Sequence, residues 1–397
     1  MIDPTPAQTK VLREIQDWLR SSSNKRASHH GQVRVLTGAA GTGKTSLAAL
    51  AVESYRARFC APTGKAALVL REKGCAGART IHSLIYRPRE GMDGRNRVVR
   101  FSVNPNAELG HGDVDVVVAD ECSMLGPDLM RDLLSFGVRV LLLGDPYQLP
   151  PVVDERGGHG PAARPGEVAG YRPDWHLDEV HRQARESGVL RLATDVREGR
   201  GFSRVPGAYG DDVRVLRADE ADSLGVVCEV DQVLVGTRRA RRDLNQWVRK
   251  AAGAIDNAPI PGDKVVCRRN NADLGLINGG QWMVMESDPV GFWRHQQHTK
   301  LVLETLGGDP DGPQTVEITS HLHYFEGREE SLKGLSWAES KKHEEFDYGY
   351  AMTCHSAQGS QWDSVAILDE SNVFGQDRYK WAYTAITRAS KRVVLLF

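Results

Sequence analysis

The sequence predicts an α/β protein of two domains, each built on a mainly parallel sheet. Three observations lead there. Short Val- and Leu-rich runs at 32–37, 115–119, 138–143, 231–235, 365–368 and 392–397 alternate with helical patterns. Runs that are apolar throughout, rather than at alternate positions, are strands buried on both faces. The runs fall on either side of a Pro/Gly-rich stretch at 150–173, which reads as a domain boundary. A glycine-rich turn, Gly38–Thr45, lies between the first strand and a helix predicted at 46–56.

The first domain is therefore placed at 1–155 and the second at 156–397. Two segments break the rhythm. Residues 86–113 read as a hairpin inserted in the first domain, and residues 287–346 as a small β insertion in the second.

A chain of 397 residues fits two or three domains. Its 40% hydrophobic and 26% charged residues are ordinary for a soluble globular protein. No apolar run reaches the length of a membrane span, and MIDPTPAQTK has no signal-peptide pattern, so the expectation is a cytoplasmic chain (host cytoplasm if of phage origin) with no membrane partner. None of the six cysteines pairs as C-x-x-C or shows zinc spacing, which suits reduced thiols. A net charge of −1 argues against coating DNA through bulk charge. It leaves room for a local basic groove, and Arg238, Arg239, Arg241, Arg242 and Arg388, Lys391, Arg392 form two basic runs.

Gly38, Ala39, Ala40, Gly41, Thr42, Gly43, Lys44 and Thr45 fit G-x-x-x-x-G-K-[ST] in the strand–loop–helix setting that motif requires. Glycines let backbone N–H groups close around phosphates, and the helix N-terminus favours their charge. Lys44 is expected to reach the β- and γ-phosphates, and the Thr45 hydroxyl to ligate Mg²⁺. Asp120 and Glu121 follow the strand at 115–119, where a carboxylate stands beside the phosphate loop of an open parallel sheet. Asp120 is assigned to Mg²⁺, and Glu121 to orienting and deprotonating the attacking water. Asp145 and Gln148 end a further strand and place a second polar sensor beside the γ-phosphate.

Near the C-terminus come YAMTCHSAQG, residues 350–359, and YTAITRA, residues 383–389. With these the ordered set resembles the motifs of superfamily 1 helicases, and most nearly the RecD/Dda-like branch, superfamily 1B. The likeness runs from Thr5-Pro-Ala-Gln8 to Arg388 and includes Ala61–Ala67, Thr80-Ile-His82, Asp120-Glu121, Gly144–Gln148, His181-Arg182-Gln183, Thr353/His355/Gln358-Gly359 and Thr387-Arg388. It implies two RecA-like P-loop domains with ATP between them. It further implies that Gln8 reads the adenine edge, that Gln148 and Gln358 sense the γ-phosphate with Gly359 beside the nucleotide, and that Arg182 and Arg388 act as arginine fingers. Such fingers are worth about 10³–10⁵ in rate. Pro62, Thr63, Thr80 and His82 in the first domain, with Thr353 and His355 in the second, are the implied contacts to single-stranded DNA. The hairpin at 86–113 stands where relatives carry a strand-separating pin, with Phe101 as its wedge, and the later insertion where they carry an SH3-like domain.

One departure is Ser356, where the family commonly has Lys. The sequence carries no nuclease, primase or relaxase pattern, so the expectation is a minimal, monomeric motor. Its implied activity is that of an ATP-dependent DNA helicase moving 5′→3′ on single strands and acting at single-strand/duplex junctions, with replication or repair proteins as partners. Two other readings stay open: a translocase with little strand separation, and a regulatory NTPase subunit of a replication or repair complex.

Overall fold

The computed structural model describes residues 4–21, 29–93, 96–150, 170–178, 187–201, 208–219, 222–290, 298–307, 312–332 and 342–397. Its first sheet contains β1 (Val33–Gly38), β2 (Ala57–Ala61) and β3 (Arg79–Thr80). A two-stranded hairpin, β4 (Tyr86–Asp93) and β5 (Asn96–Val103), follows. The first sheet resumes with β6 (Val116–Ala119), β7 (Arg139–Gly144) and β8 (Trp175–Leu177). Among the described residues its order is β3-β2-β6-β7-β1-β8, parallel throughout.

The reason these segments pair is visible in β6 and β7. Val117, Ala119, Val140 and Leu142 enter one core, and Val116, Val118, Leu141 and Leu143 the other. Successive side chains point to opposite faces of a strand. Both faces are therefore apolar, and both are covered. Each such Val or Leu side chain contributes about 1.5–3 kcal/mol when fully buried.

The second domain repeats the logic. Its strands are β9 (Val213–Leu216), β10 (Gln232–Val235), β16 (Ala351–Thr353), β17 (Trp362–Leu368) and β18 (Ala389–Leu396), in the order β16-β10-β17-β18-β9 among the described residues. Leu234, Val365, Ile367, Val393 and Leu395 pack on one face; Val233, Val235, Ala366, Val394 and Leu396 on the other. Between β10 and β16 the chain forms an antiparallel sheet, β14-β13-β12-β11-β15, from β11 (Lys264–Cys267), β12 (Gln281–Val290), β13 (His298–Thr305), β14 (Thr315–His321) and β15 (Phe346–Tyr348).

Three expectations need correcting. The first sheet takes in Trp175–Leu177, beyond the boundary set at 155/156: Leu36 pairs with Trp175 and Gly38 with Leu177, so the chain returns to close the edge beside β1. The β insertion begins at Lys264 rather than near 287, because β11 and β12 pair with each other and β11 with β15. The first helix after the phosphate loop spans Lys44–Val52, not 46–56, and Ala57 already opens β2. The hairpin runs from Tyr86 to Val103, inside the segment expected as an insertion at 86–113. Among the described residues no helix is long and apolar enough to cross a membrane.

Candidate active site between the two sheets

A cavity of about 330 Å³ opens between the C-terminal end of the first sheet and the residues that lead into β17 and β18 of the second. The first domain lines it with Ala40, Gly43, Lys44, Thr45, Asp120, Glu121, Asp145 and Gln148; the second with Gly359, Ser360, Thr387 and Arg388.

On the first-domain side, Gly41 (φ 78°) and Gly43 (φ 77°) adopt left-handed backbone that side chains disfavour, which bends the loop around the cavity. The helix that follows has no side-chain cap, so its first amides stay available to an anion. The Lys44 ammonium donates to the Gly38 and Ala39 carbonyls at 2.6 and 2.9 Å. The Thr45 hydroxyl donates to Asp120 Oδ2 at 2.7 Å. This pairs two hard oxygen donors at the site assigned to Mg²⁺, an ion that takes few protein ligands and keeps several waters.

Glu121 is the one non-glycine residue with positive φ (52°) among the described residues. Such backbone costs about 1–3 kcal/mol and persists only where the surroundings hold it. Here it turns the carboxylate into the cavity opposite Arg388, with Nη1 to Oε1 at 3.7 Å. About 23% of the Glu121 side chain stays open, toward the cavity. Burial raises its pKa above the ordinary carboxylate range, opposed by the positive charge of Arg388. Arg388 itself is 5% exposed, and its guanidinium donates to the carbonyls of Thr384 and Ser360, both at 3.2 Å.

Two buried polar atoms on this cavity have no hydrogen-bond partner among the described residues: Gln148 Oε1 from the first domain and Ser360 Oγ from the second. An unpaired buried polar atom costs about 1–3 kcal/mol. Both residues line the cavity, one from each domain, while these two atoms are themselves shielded from solvent.

Other expected residues sit differently. Gln8 is 3% exposed; its Nε2 donates to the Thr42 carbonyl at 3.0 Å and its Oε1 accepts from the Thr5 amide at 2.9 Å. Thr5-Pro-Ala-Gln8 is thus a capping box at the start of Pro6–Arg20, and Gln8 braces the phosphate loop. The adenine-reading role would require it to exchange these bonds. Gln358 Nε2 donates to the Leu149 carbonyl at 2.8 Å, so it grips the Gln148 segment rather than facing the phosphates. Arg182 lies outside the described residues.

The expected DNA contacts cluster at strand ends. Ala61 pairs with Thr80 across β2 and β3, which brings Pro62, Thr63, Thr80 and His82 together; Val235 pairs with Thr353 across β10 and β16 in the same way. Each threonine hydroxyl is already in use. Thr63 caps Gly64–Glu72, Thr80 caps Ile81–Ile85, and Thr353 pairs with the Ser356 hydroxyl. Gly359 (φ 77°) brings the halves together: a Cβ there would lie 2.8 Å from Ala66 Cβ and 2.9 Å from Thr63 Oγ1. His355 packs beside Phe374 at 5.7 Å, and His82 beside Phe101 at 6.5 Å. Phe101 is 64% exposed, but it pairs with Pro88 near the root of the hairpin, away from its turn.

Tyr383, at the start of YTAITRA, carries no role in the sequence reading. Its hydroxyl accepts from the Ala40 amide at 2.9 Å and donates to Asp145 Oδ2 at 2.7 Å.

Comparison with known proteins agrees with this geometry. The family described as AAA domain matches residues 21–219, about half of the chain, and the UvrD-like helicase C-terminal domain matches residues 348–396. The chain is 28% identical over 413 residues to the ATP-dependent RecD2 DNA helicase of Deinococcus radiodurans, covering 96% of this chain and 49% of that one. It thus spans about half of that relative's length. It is also 28% identical over 410 residues to the RecBCD enzyme subunit RecD of Mycolicibacterium smegmatis, covering 90% of this chain and 67% of that one. In fold it resembles Pif1 helicase solved at forked duplex DNA (TM-score 0.58, 18% identity, 99% of this chain and 92% of that one). Bacteroides Pif1 bound to single-stranded DNA is similar (TM-score 0.55, 17% identity, 100% and 92%). The phosphate loop falls inside the first family match and Arg388 inside the second, and the chain belongs to the AAA domain family.

Proposed function

We propose that the chain is an ATP-driven DNA helicase that moves 5′→3′ along single-stranded DNA. The observation that carries this reading is the cavity itself. Lys44, Thr45, Asp120 and Glu121 line it from one sheet, and Ser360 and Arg388 from the other. Hydrolysis there would change what the two sheets share, which is the requirement for converting phosphate chemistry into domain movement.

In this reading Lys44 exchanges its loop carbonyls for nucleotide phosphates. Gln148 orients the attacking water through its free carbonyl oxygen, and Glu121 accepts the proton. Arg388 stabilises the charge that spreads over the transferring phosphoryl group. Thr45 and Asp120 would hold Mg²⁺, which supplies charge neutralisation on the phosphate oxygens.

The DNA strand follows the strand ends that carry Pro62, Thr63, Thr80 and His82 and then Thr353 and His355. Hydroxyls and backbone amides there contact phosphates, which position the strand without reading its sequence. The hairpin with Phe101 is the strand-separating element. Junctions of single-stranded and duplex DNA are the substrate, and replication or repair proteins the partners.

The test follows ATP hydrolysis with and without a single-stranded oligonucleotide, together with displacement of a duplex bearing a 5′ or a 3′ tail, using Lys44→Ala as control. Stimulation by DNA with displacement from the 5′-tailed duplex alone supports the proposal. Displacement from the 3′-tailed duplex alone overturns the direction. Stimulation without displacement makes the chain a translocase. No stimulation by DNA sinks the motor.

A further inference from the structure

Asp145–Leu149, the segment that carries Gln148, is tied to the second domain at three points. The Leu149 amide donates to Thr384 Oγ1 at 2.9 Å. The Leu149 carbonyl accepts from Gln358 Nε2 at 2.8 Å. Asp145 accepts from Tyr383, and its other carboxylate oxygen accepts from the Tyr147 amide at 3.0 Å. Of the three ties, the one through Tyr383 also touches the phosphate loop, at the Ala40 amide.

Tyr383 lies on the helix Arg378–Ile386 and is 2% exposed. Burial, with the negative Asp145 adding to it, holds its phenol well above the ordinary tyrosine range. The hydroxyl therefore keeps its proton at neutral pH, donates it to Asp145, and has a lone pair for Ala40 N–H.

We propose that the Tyr383 hydroxyl is a positioning group that competes with nucleotide phosphate for the Ala40 amide, and so links occupancy of the phosphate loop to the placement of Gln148. The inference rests on the nucleotide-site reading above. A phosphate oxygen makes a charge-assisted bond, stronger than the neutral one from a phenol. When phosphate takes the amide, Tyr383 keeps Asp145 as its partner and the segment bearing Gln148 follows the second domain. A purely structural tyrosine would add to both binding and turnover. The competing hydroxyl instead weakens nucleotide binding while sustaining turnover.

The test measures the affinity of a fluorescent ATP analogue with Mg²⁺, and the KM and kcat of DNA-stimulated hydrolysis, for the unaltered protein, Tyr383→Phe and Thr384→Val. Thermal unfolding checks that each is folded. Tyr383→Phe keeps the ring and loses the hydroxyl. It is expected to bind nucleotide about three- to tenfold more tightly, the worth of one competing hydrogen bond, with a matching fall in KM and a lower kcat. Thr384→Val loosens the same segment without touching the phosphate loop, and is expected to lower kcat without tightening binding. Unchanged or weaker binding by folded Tyr383→Phe overturns the proposal, and so does equal tightening in Thr384→Val. If the unaltered protein binds the analogue no better than Lys44→Ala does, the nucleotide-site reading itself fails, and the competition with it.

Discussion

The helix N-termini that follow β1 and β10 stand in the same kind of place, at the C-terminal end of a parallel strand, and are finished in opposite ways. After β1, Gly43 precedes Lys44–Val52 with no side-chain cap, and the amides of the turn face the cavity. After β10, Thr237 caps Arg238–Ala251 through its hydroxyl, and Glu370 accepts from the Gly236 amide at 2.7 Å and from the Thr237 amide and hydroxyl at 3.0 Å. A helix N-terminus carries roughly half a positive charge and several unpaired donors. The second domain satisfies them with its own carboxylate, and gains stability. The first leaves them for an anion from outside, and gains a binding site. The difference marks which half of a repeated architecture keeps a helix N-terminus open for an anion.

The largest effect that would break this contrast is at Lys44. Lys44→Ala removes the charge that the open loop presents, and ATP turnover should fall by at least about 10²-fold, read from phosphate release. A variant with near-normal turnover would mean that the open terminus is not the nucleotide site.

A smaller effect sharpens the picture of the cleft. Glu121 must be ionised to accept a proton, and burial raises its pKa while Arg388 lowers it. Turnover should therefore fall, as pH drops, at a pH above the ordinary carboxylate range. In Arg388→Ala the charge that opposes burial is gone, so the same limb of the residual activity should move to higher pH. A limb that stays in place or moves down would separate the two residues.

The smallest effect tests the other terminus. Glu370→Gln keeps the size of the side chain and removes its charge, so it should cost about 1–2 kcal/mol in denaturant unfolding, since hydrogen bonds to charged groups are the stronger ones. Nucleotide affinity should stay as it was. A loss of affinity comparable to that of Lys44→Ala would show that the two termini are not independent.

Much of this was legible in the sequence, for a physical reason. Val116–Ala119 is buried on both faces, so every residue of β6 had to be apolar or small, and the run announced itself. Trp175–Leu177 is three residues with a histidine at its centre, and it gave no such signal. The phosphate loop was legible because its function lies in consecutive residues. Tyr383, Thr384 and Gln358 were not assigned their structural ties because these join Ala40, Asp145 and Leu149 across hundreds of positions. At Gln8 the T-x-x-Q spacing of a capping box was present in the sequence, and the structure shows that local role. The hydroxyls of Thr63, Thr80 and Thr353 were expected on DNA, and they also hold local turns.

The central claim is that one nucleotide is shared by two domains, with the first domain binding it and the second completing the chemistry. The most direct measurement compares the unaltered protein with Arg388→Ala at saturating ATP and single-stranded DNA. The account predicts that Arg388→Ala still binds nucleotide while its maximal turnover falls by about 10³–10⁵. Turnover close to that of the unaltered protein, with folding intact, would contradict it and leave the first domain as the whole of the catalyst.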